Sequence, residues 1–168
     1  MSRRENVFTQ LGTANYKIAQ LLCKDEDLRR YLKYSVENPM DETLETPSLE
    51  DVWKNNIRIK PLIHLDELRE SFALVSWDYG SVGYNSDFAS LALHIDIFTP
   101  INAWDINEIC QRPFRIMDLI LQDLNNKRVS GIGTLNFYSF ELKIISNEYT
   151  QHQMVFYLDV NSSNETLN

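Results

Sequence analysis

The stretch from Phe88 to Phe98 carries the clearest structural pattern in the sequence. Every second residue on one side of it is apolar: Leu91, Leu93, Ile95 and Ile97. The other side mixes polar and aromatic residues: Phe88, Ser90, Ala92, His94, Asp96 and Phe98. A period of two over this length is typical of a β-strand that buries one face. We therefore expect a sheet with one face covered by other elements.

Three further segments have the pattern of strands. They run from Leu68 to Tyr79, from Thr134 to Ile145 and from Met154 to Val160. The Gly-, Ser- and Asn-containing loop from Gly80 to Asp87 is expected to join the first two strands as a hairpin. Neither face of 134–145 is purely apolar, which indicates partial cover on both sides. The polar stretch from Ser146 to Gln153 is predicted to be a turn.

Apolar residues at gaps of three and four predict helices on both sides of the first strand pair. The first helix covers residues 5–22. The second begins at Asp25 as its N-cap and ends at Asn38-Pro39, because proline pushes the preceding residue out of the α region. A third runs from about Asp105 to Asn125, and Pro113 inside it is expected to kink or split it. A short helical turn around Val52-Trp53 and an extended piece over 57–59 complete the elements.

The predicted element order is α-α-β-β-α-β-β. It indicates an α+β fold: an N-terminal helical hairpin and then ββαββ, with an antiparallel or mixed sheet and helices packed on one face. A chain of 168 residues corresponds to roughly one domain. We assign this domain to residues 1–160 and expect the polar tail 161–168 to be flexible.

The charge balance is acidic. Sixteen Lys and Arg residues stand against 24 Asp and Glu residues, for a net charge of −8, which argues against a protein that grips nucleic acid through its phosphates. Residues 37–51 carry six of the acidic residues and no Lys or Arg. This loop is long for a compact domain, so we expect it to be either functional or mobile.

Features that would indicate export or redox chemistry are weak. The N-terminus is polar with no apolar run behind it, and no stretch approaches 18 apolar residues, so neither a secretory signal nor a membrane span is expected. Cys23 and Cys110 lie in different predicted helices and make no disulfide framework. We expect two reduced thiols and assembly in a cytosol.

The sequence offers little for catalysis or metal binding. His94 and Asp96 share a strand face, and His152 could approach them to form a metal site, but the pattern favours a polar sheet face paired across strands. The segment His64-Leu65-Asp66-Glu67 marks a turn before a strand more readily than an acid–base pair. Gly131-Ile132-Gly133 follows a helix and enters a strand, unlike a phosphate loop, so its expected role is to supply positive φ. We predict no enzyme, no cofactor and no metal, and instead an interaction or assembly protein.

Three parts of the sequence carry a family resemblance. They are the opening hairpin with Leu21-Leu22-Cys23 and Tyr31-Leu32-Lys33-Tyr34; the stretch from Trp104-Asp105-Ile106 through Arg112-Pro113-Phe114-Arg115-Ile116-Met117 to Gly131-Ile132-Gly133; and the closing Asn147-Glu148-Tyr149 turn with the 154–160 strand. Together they resemble the small neck proteins of tailed bacteriophages: tail-terminator, tail-completion and head–tail joining proteins. The resemblance covers roughly residues 7–160. It implies a virion protein forming a hexameric ring between the portal side and the tail, with no catalytic residue.

Such a ring would have further copies of itself and neighbouring neck, tail-tube or sheath proteins as partners, and no membrane. Ring closure needs two different patches on each subunit, which loops and edge strands can supply. The residues predicted to make these contacts are Trp53, Tyr79, Tyr84, Asn85, Glu42, Glu45 and Asn161. An acidic wall would let DNA pass through the lumen without specific binding. The alternative is a non-enzymatic cytosolic adaptor or immunity-type binding protein whose acidic face takes a basic partner.

Overall fold

A computed structural model describes residues 7–59, 69–82, 88–107, 110–129, 133–144 and 146–159. Within these ranges the helices are α1 (Val7–Lys24), α2 (Glu26–Lys33), α3 (Leu49–Asn55) and α4 (Arg112–Leu124), with a 3-10 turn at Ile101–Ala103. The strands are β1 (Ile57–Arg58), β2 (Phe72–Val82), β3 (Phe88–Pro100), β4 (Arg128–Val129), β5 (Gly133–Ile144) and β6 (Tyr149–Asp159).

The six strands form one sheet in the order β1-β2-β3-β6-β5-β4. The β1–β2 pair is parallel and the other four pairs are antiparallel, so the sheet is mixed. The predicted α+β class, with a helical hairpin before the sheet and one helix between two strand pairs, is confirmed.

The main core lies between the helices and the sheet face that the 88–98 alternation predicted. Leu93 and Ile95 of β3 stand opposite Phe156 and Met154 of β6, and all four side chains are buried. Helices α1, α2 and α4 pack on this face and contribute Ile18, Leu22, Leu28, Leu32, Ile116 and Ile120 to the core. A smaller cluster lies on the opposite face, made of Phe72, Leu74, Phe98 and Tyr149.

Helix α4 is shorter than predicted and unkinked. It begins at Arg112, not at Asp105, and Pro113 sits in its first turn. The missing N–H of a proline costs no hydrogen bond there, and its fixed φ suits a helix start, so the expected kink is wrong. Asp105 instead forms a bridge with Gln111 before the helix.

The boundaries of other elements also differ from the prediction. Strand β2 runs over Phe72–Val82 instead of 68–79, so it includes the first residues of the predicted hairpin loop. Helix α2 ends at Lys33, because Tyr34 adopts an extended conformation five residues before Pro39. Strand β6 begins at Tyr149, so the predicted turn over 146–153 is mostly strand. The side chains of Gln151 and Gln153 face the less covered side of the sheet, and their polarity indicated a turn where the strand had already begun.

Strand β5 contains a bulge that the sequence did not reveal. Its pairing with β6 shifts by one residue between Phe137 and Ser139. Leu135 and Phe137 before the shift, and Phe140 and Leu142 after it, therefore face the same side of the sheet as the helices. This change of phase, rather than cover on both sides, explains why no single alternation fits 134–145.

Both cysteines are unpaired, as predicted; Cys23 is buried and Cys110 is partly exposed. Burial raises the pKa of the Cys23 thiol to about 11, which makes it unreactive at neutral pH. Gly133 has a φ of 145°, so the positive-φ role expected of the 131–133 glycines holds for this residue. No helix in the described ranges is long and apolar enough to cross a membrane.

Candidate assembly interface

The two outer strands of the sheet, β1 and β4, are so short that they leave most of the outer edges of β2 and β5 unpaired. Strand β1 pairs only with Ala73 and Leu74 of β2, and β4 pairs only with Gly133 and Thr134 of β5. The backbone N–H of Leu135 donates a hydrogen bond to the carbonyl of Lys127, and the N–H of Phe137 donates to the side-chain oxygen of Asn125. Among the described strands, none pairs with the outer edge of β2 from residue 75 or of β5 from residue 138. An open strand edge is a template for another chain.

The open part of β5 carries exposed apolar side chains. Phe140 is 55% exposed and Leu142 is 48% exposed, although both face the side of the sheet on which the helices pack. Leu142 stands opposite His152, whose ring lies 5.4 Å from that of Phe114, itself 37% exposed. We call Phe114, Phe140 and Leu142 the apolar patch. Exposed apolar side chains grouped in this way mark interaction surfaces.

Sequence reasoning missed the apolar patch because the bulge is invisible in a two-residue alternation. Without the bulge, Phe140 would share a face with Tyr138; with it, Tyr138 lies on the opposite face and packs against Tyr157 in a tilted arrangement, with 4.6 Å between the ring centroids. The aromatic run at 137, 138 and 140 was the one available signal. Three aromatic residues in four positions cannot all be buried on one face of a strand.

The acidic segment predicted over 37–51 ends earlier as a loop, because α3 begins at Leu49. We therefore define the acidic loop as residues 35–48, and two arginines hold it in place. Arg30 donates to the carbonyl oxygens of Pro39 (3.3 Å), Asp41 (3.3 Å) and Leu44 (3.0 Å). Arg29 donates to the carbonyl of Pro47 at 2.9 Å. Of the two expectations for this loop, functional or mobile, these contacts disfavour mobility.

The arginines bind backbone carbonyls and leave the acidic side chains free. Glu37, Glu42 and Glu45 are exposed, and none of them forms an ion pair within the part of the chain that the structure describes. Hydrogen bonds from Thr43 hold the pKa of Asp41 below its usual value. Two of the predicted interface residues, Glu42 and Glu45, thus lie on a fixed acidic surface.

A charge cluster fastens the region after the loop to the start of β2. Lys33 Nζ lies 2.8 Å from Asp51 Oδ2 and 3.1 Å from Glu70 Oε1. The hydrogen bond with Asp51 raises the pKa of Lys33, and the same contact lowers the pKa of Asp51. Asp51, at the end of the 37–51 segment, is therefore held by the fold, unlike Glu42 and Glu45 in its middle.

The remaining predicted interface residues have different settings. Trp53 is partly buried on α3, packs against the main core and stacks with Tyr16 at 6.0 Å between ring centroids. Tyr79 lies in β2 beyond the stretch that β1 pairs with. Tyr84, Asn85 and Asn161 lie outside the described residues, so their role stays a prediction.

The three candidate metal ligands do not meet. His152 is fully buried on the helix side of the sheet, between the rings of Trp104 and Phe114. His94 and Asp96 point to the opposite side, so His152 does not approach them. Asp96 accepts hydrogen bonds from the side chains of Gln151 (2.6 Å) and Gln153 (2.8 Å). This is the cross-strand polar face that the sequence pattern favoured.

No group of three or more metal-ligating side chains occurs in the described ranges. The His64-Leu65-Asp66-Glu67 segment lies outside them. What the described residues offer is contact surface: two open sheet edges, the apolar patch and the acidic loop.

The comparison with known proteins adds a family. The family model YomW matches residues 25–158, from the N-cap of α2 to the last strand and well over half of the chain. No curated protein matches the chain significantly. The family is named after a gene product of a Bacillus phage region, which points to a phage-associated protein. On the extent of the match, the chain belongs to the YomW family.

Proposed function

We propose that the protein is a structural component of a tailed-phage virion. In this proposal its copies form a hexameric ring in the neck, which terminates the tail and joins it to the connector on the head side. The family name supports the association with a phage. The resemblance in sequence to phage neck proteins supports the position in the virion.

One observation carries the proposal of a ring: among the described residues, the sheet ends in two edges that lack a further paired strand, and these edges differ from each other. The edge of β2 from residue 75 and the edge of β5 from residue 138 lie at opposite ends of the strand order. A contact between two different surfaces of the same chain is heterologous, and it closes into a ring when the rotation between copies allows. The apolar patch beside the β5 edge would supply the area that such a contact buries.

The charge suits a wall along which DNA moves. The net charge of −8 and the unpaired carboxylates of the acidic loop repel phosphates, so DNA would pass the lumen without binding. The proposal assigns the protein no catalysis, cofactor or metal. Its partners are further copies of itself and the adjoining neck and tail-tube or sheath proteins, and its location is the virion after assembly in the host cytoplasm.

The proposal is tested in the phage that encodes the chain. Disruption of the gene should leave filled heads and tails unjoined in electron micrographs, and expression of the wild-type chain from a plasmid should restore joined particles. Antibody labelling of complete virions should mark the neck. Normal virions from the disrupted phage would overturn the proposal.

The fixed acidic loop favours a second candidate, a non-enzymatic adaptor or immunity-type protein. The exposed carboxylates of Glu37, Glu42 and Glu45 could bind a basic partner with little loss of backbone entropy, because Arg30 holds the loop backbone. An adaptor would remain monomeric at high concentration, and its loss would leave particles joined. Light scattering during size-exclusion chromatography, together with the disrupted phage, separates the two candidates.

A further inference from the structure

A groove with a basic rim opens where α1, the end of α4 and β4 meet. It has a volume of about 320 Å³. Its floor is apolar and is made by Ile18, Leu21, Leu124 and Val129, and its rim carries Lys17, Lys24, Lys127 and Arg128. Four of the sixteen basic residues of an acidic chain are therefore gathered around one apolar floor.

The four cations have no ion-pair partner among the residues that the structure describes. All are exposed, and none forms an ion pair with a carboxylate of the described residues. Asp123 is close enough to Lys127 for the two charges to interact, but the two side chains form no ion pair. Within the described part of the chain, the rim can therefore receive an anionic group from another molecule.

The same chain carries a surface of the opposite character. In the acidic loop the apolar side chain of Met40 is 37% exposed, and the exposed carboxylates of Glu37 and Glu42 stand on either side of it in sequence. Pro39 is buried beside it, and the neighbouring backbone is held by Arg30. An apolar side chain between two carboxylates matches an apolar floor between basic side chains.

A single copy cannot bring these two surfaces together. The carbonyl of Val36 accepts a hydrogen bond from Arg112, the first residue of α4, whereas the groove lies at Leu124, the last residue. A helix of 13 residues spans about 20 Å, and the loop is fixed at the far end of it. If this loop enters a groove, the groove must therefore belong to a second copy.

We propose that the acidic loop of one copy docks into the basic groove of the next, with Met40 on the apolar floor and Glu37 and Glu42 facing the rim cations. The contact is head-to-tail, because loop and groove are different surfaces. It rests on the self-assembly in the proposed function and specifies one of its contacts.

Charge reversal tests the contact. Glu42→Lys and Lys127→Glu should each raise the dissociation constant of self-association by about tenfold, because each places like charges together across the interface. An equal mixture of the two variants should assemble again, since the altered loop meets the altered groove. Glu148→Lys and Lys54→Glu make the same charge changes at exposed sites outside both surfaces and should have little effect. Sedimentation velocity measures all five proteins.

Three results would overturn the contact, and they bear differently on the ring. If the wild-type chain assembles and neither reversal exceeds its matched control, the loop and groove do not meet, and the ring stands with other contacts. If the wild-type chain stays monomeric up to millimolar concentration, self-assembly fails and this contact fails with it. A weakening by both reversals that mixing does not repair also overturns it, because the two sites would then act separately.

Discussion

The buried guanidinium of Arg112 donates a hydrogen bond to the carbonyl oxygen of Tyr31 at 3.0 Å, although 81 positions separate the two residues. The same side chain also donates to the carbonyls of Ala103, Tyr34 and Val36. Arg112 thus joins the end of α2, the beginning of the acidic loop and the start of α4. Its four bonds go to carbonyl dipoles instead of a carboxylate, and burial lowers the pKa of Arg112 to about 10.

Replacement of Arg112 should therefore destabilise the whole domain. In Arg112→Met the buried carbonyls of Ala103 and Tyr31 and the partly buried carbonyls of Tyr34 and Val36 lose their donor. An unsatisfied buried polar group costs about 1–3 kcal/mol. Some carbonyls can turn toward water, so we expect a loss of at least about 3 kcal/mol in the free energy of unfolding. Urea denaturation measures it.

Arg112→Lys should recover little of this stability, because an ammonium group lacks the planar fork that reaches several carbonyls at once. Arg128→Met, at an exposed position, is the control and should change stability by less than about 0.5 kcal/mol. If Arg112→Met and Arg128→Met had the same free energy of unfolding, the hydrogen bonds of Arg112 would not contribute to stability.

The sequence predicted the elements whose local signals agree with their tertiary setting. β3 was predicted from its alternation, because one of its faces is core. The start of α2 was predicted from Asp25, whose side chain accepts a hydrogen bond from the N–H of Leu28 at 3.0 Å. Both signals act within a few residues, so no knowledge of the remaining chain was needed.

The features missed by sequence reasoning depend on distant contacts. Ile106 continues the apolar spacing of α4, but the chain there is not helical, and Pro113 marked the true start. Nothing local shows that Arg112 binds carbonyls 76 to 81 positions earlier. Two other features also depend on tertiary structure. The carboxylates of the acidic loop are unpaired among the described residues because the arginines bind the loop backbone, and Phe140 is exposed because the bulge changes the face on which it lies.

His152 should make the protein sensitive to acid. Both ring nitrogens are buried with no hydrogen-bond partner among the described residues, and burial lowers the pKa of His152. In the unfolded chain His152 binds a proton with a pKa near 6.5, which is higher than in the folded protein. The stability that comes from burying the neutral ring is therefore present above pH 6.5 and is lost as the pH falls below it.

The His152→Phe variant isolates this effect, because phenylalanine keeps a ring between Trp104 and Phe114 but does not titrate. Urea midpoints at pH 7.5 and pH 5 should drop less in His152→Phe than in the wild-type chain. The control is Gln122→Ala at an exposed position of α4, which removes no titratable group and should keep the wild-type dependence. Equal drops in all three proteins would show that His152 does not titrate on unfolding.

The ionisation of Asp123 should make the folded protein less stable as the pH rises, which is the opposite of the effect of His152. Burial, helped by the nearby charge of Asp25, raises the pKa of Asp123 to about 6 in the folded state, above its unfolded value of 3.8. Its contribution is therefore most favourable below about pH 4 and is lost as the pH rises through about 6.

Asp123→Asn should therefore stabilise the protein at pH 7 by about 1 kcal/mol, after allowance for solvent screening of a half-buried group. The gain should disappear near pH 4, where both proteins carry an uncharged side chain. Asp118→Asn, on the exposed side of α4, is the matched control and should be neutral. A destabilised Asp123→Asn at pH 7 would mean that the ionised carboxylate makes a favourable contact.

The apolar patch gives the last prediction, which concerns assembly and not stability. Phe140 and Leu142 are about half exposed in the single chain, so Phe140→Ser combined with Leu142→Ser removes little buried area from the monomer. We expect the free energy of unfolding of the monomer to change by about 1 kcal/mol or less, since substitutions at exposed positions are mostly mild.

Self-association should respond far more strongly, because side chains at the centre of an interface carry most of its binding energy. The double variant should sediment as a monomer at concentrations where the wild-type chain is assembled. Ile101→Ser, which removes another partly exposed apolar side chain, should leave assembly unchanged. If the double variant assembled like the wild-type chain, the open end of β5 would lie outside the contact. The exposure of Phe140 and Leu142 would then be a consequence of the bulge alone.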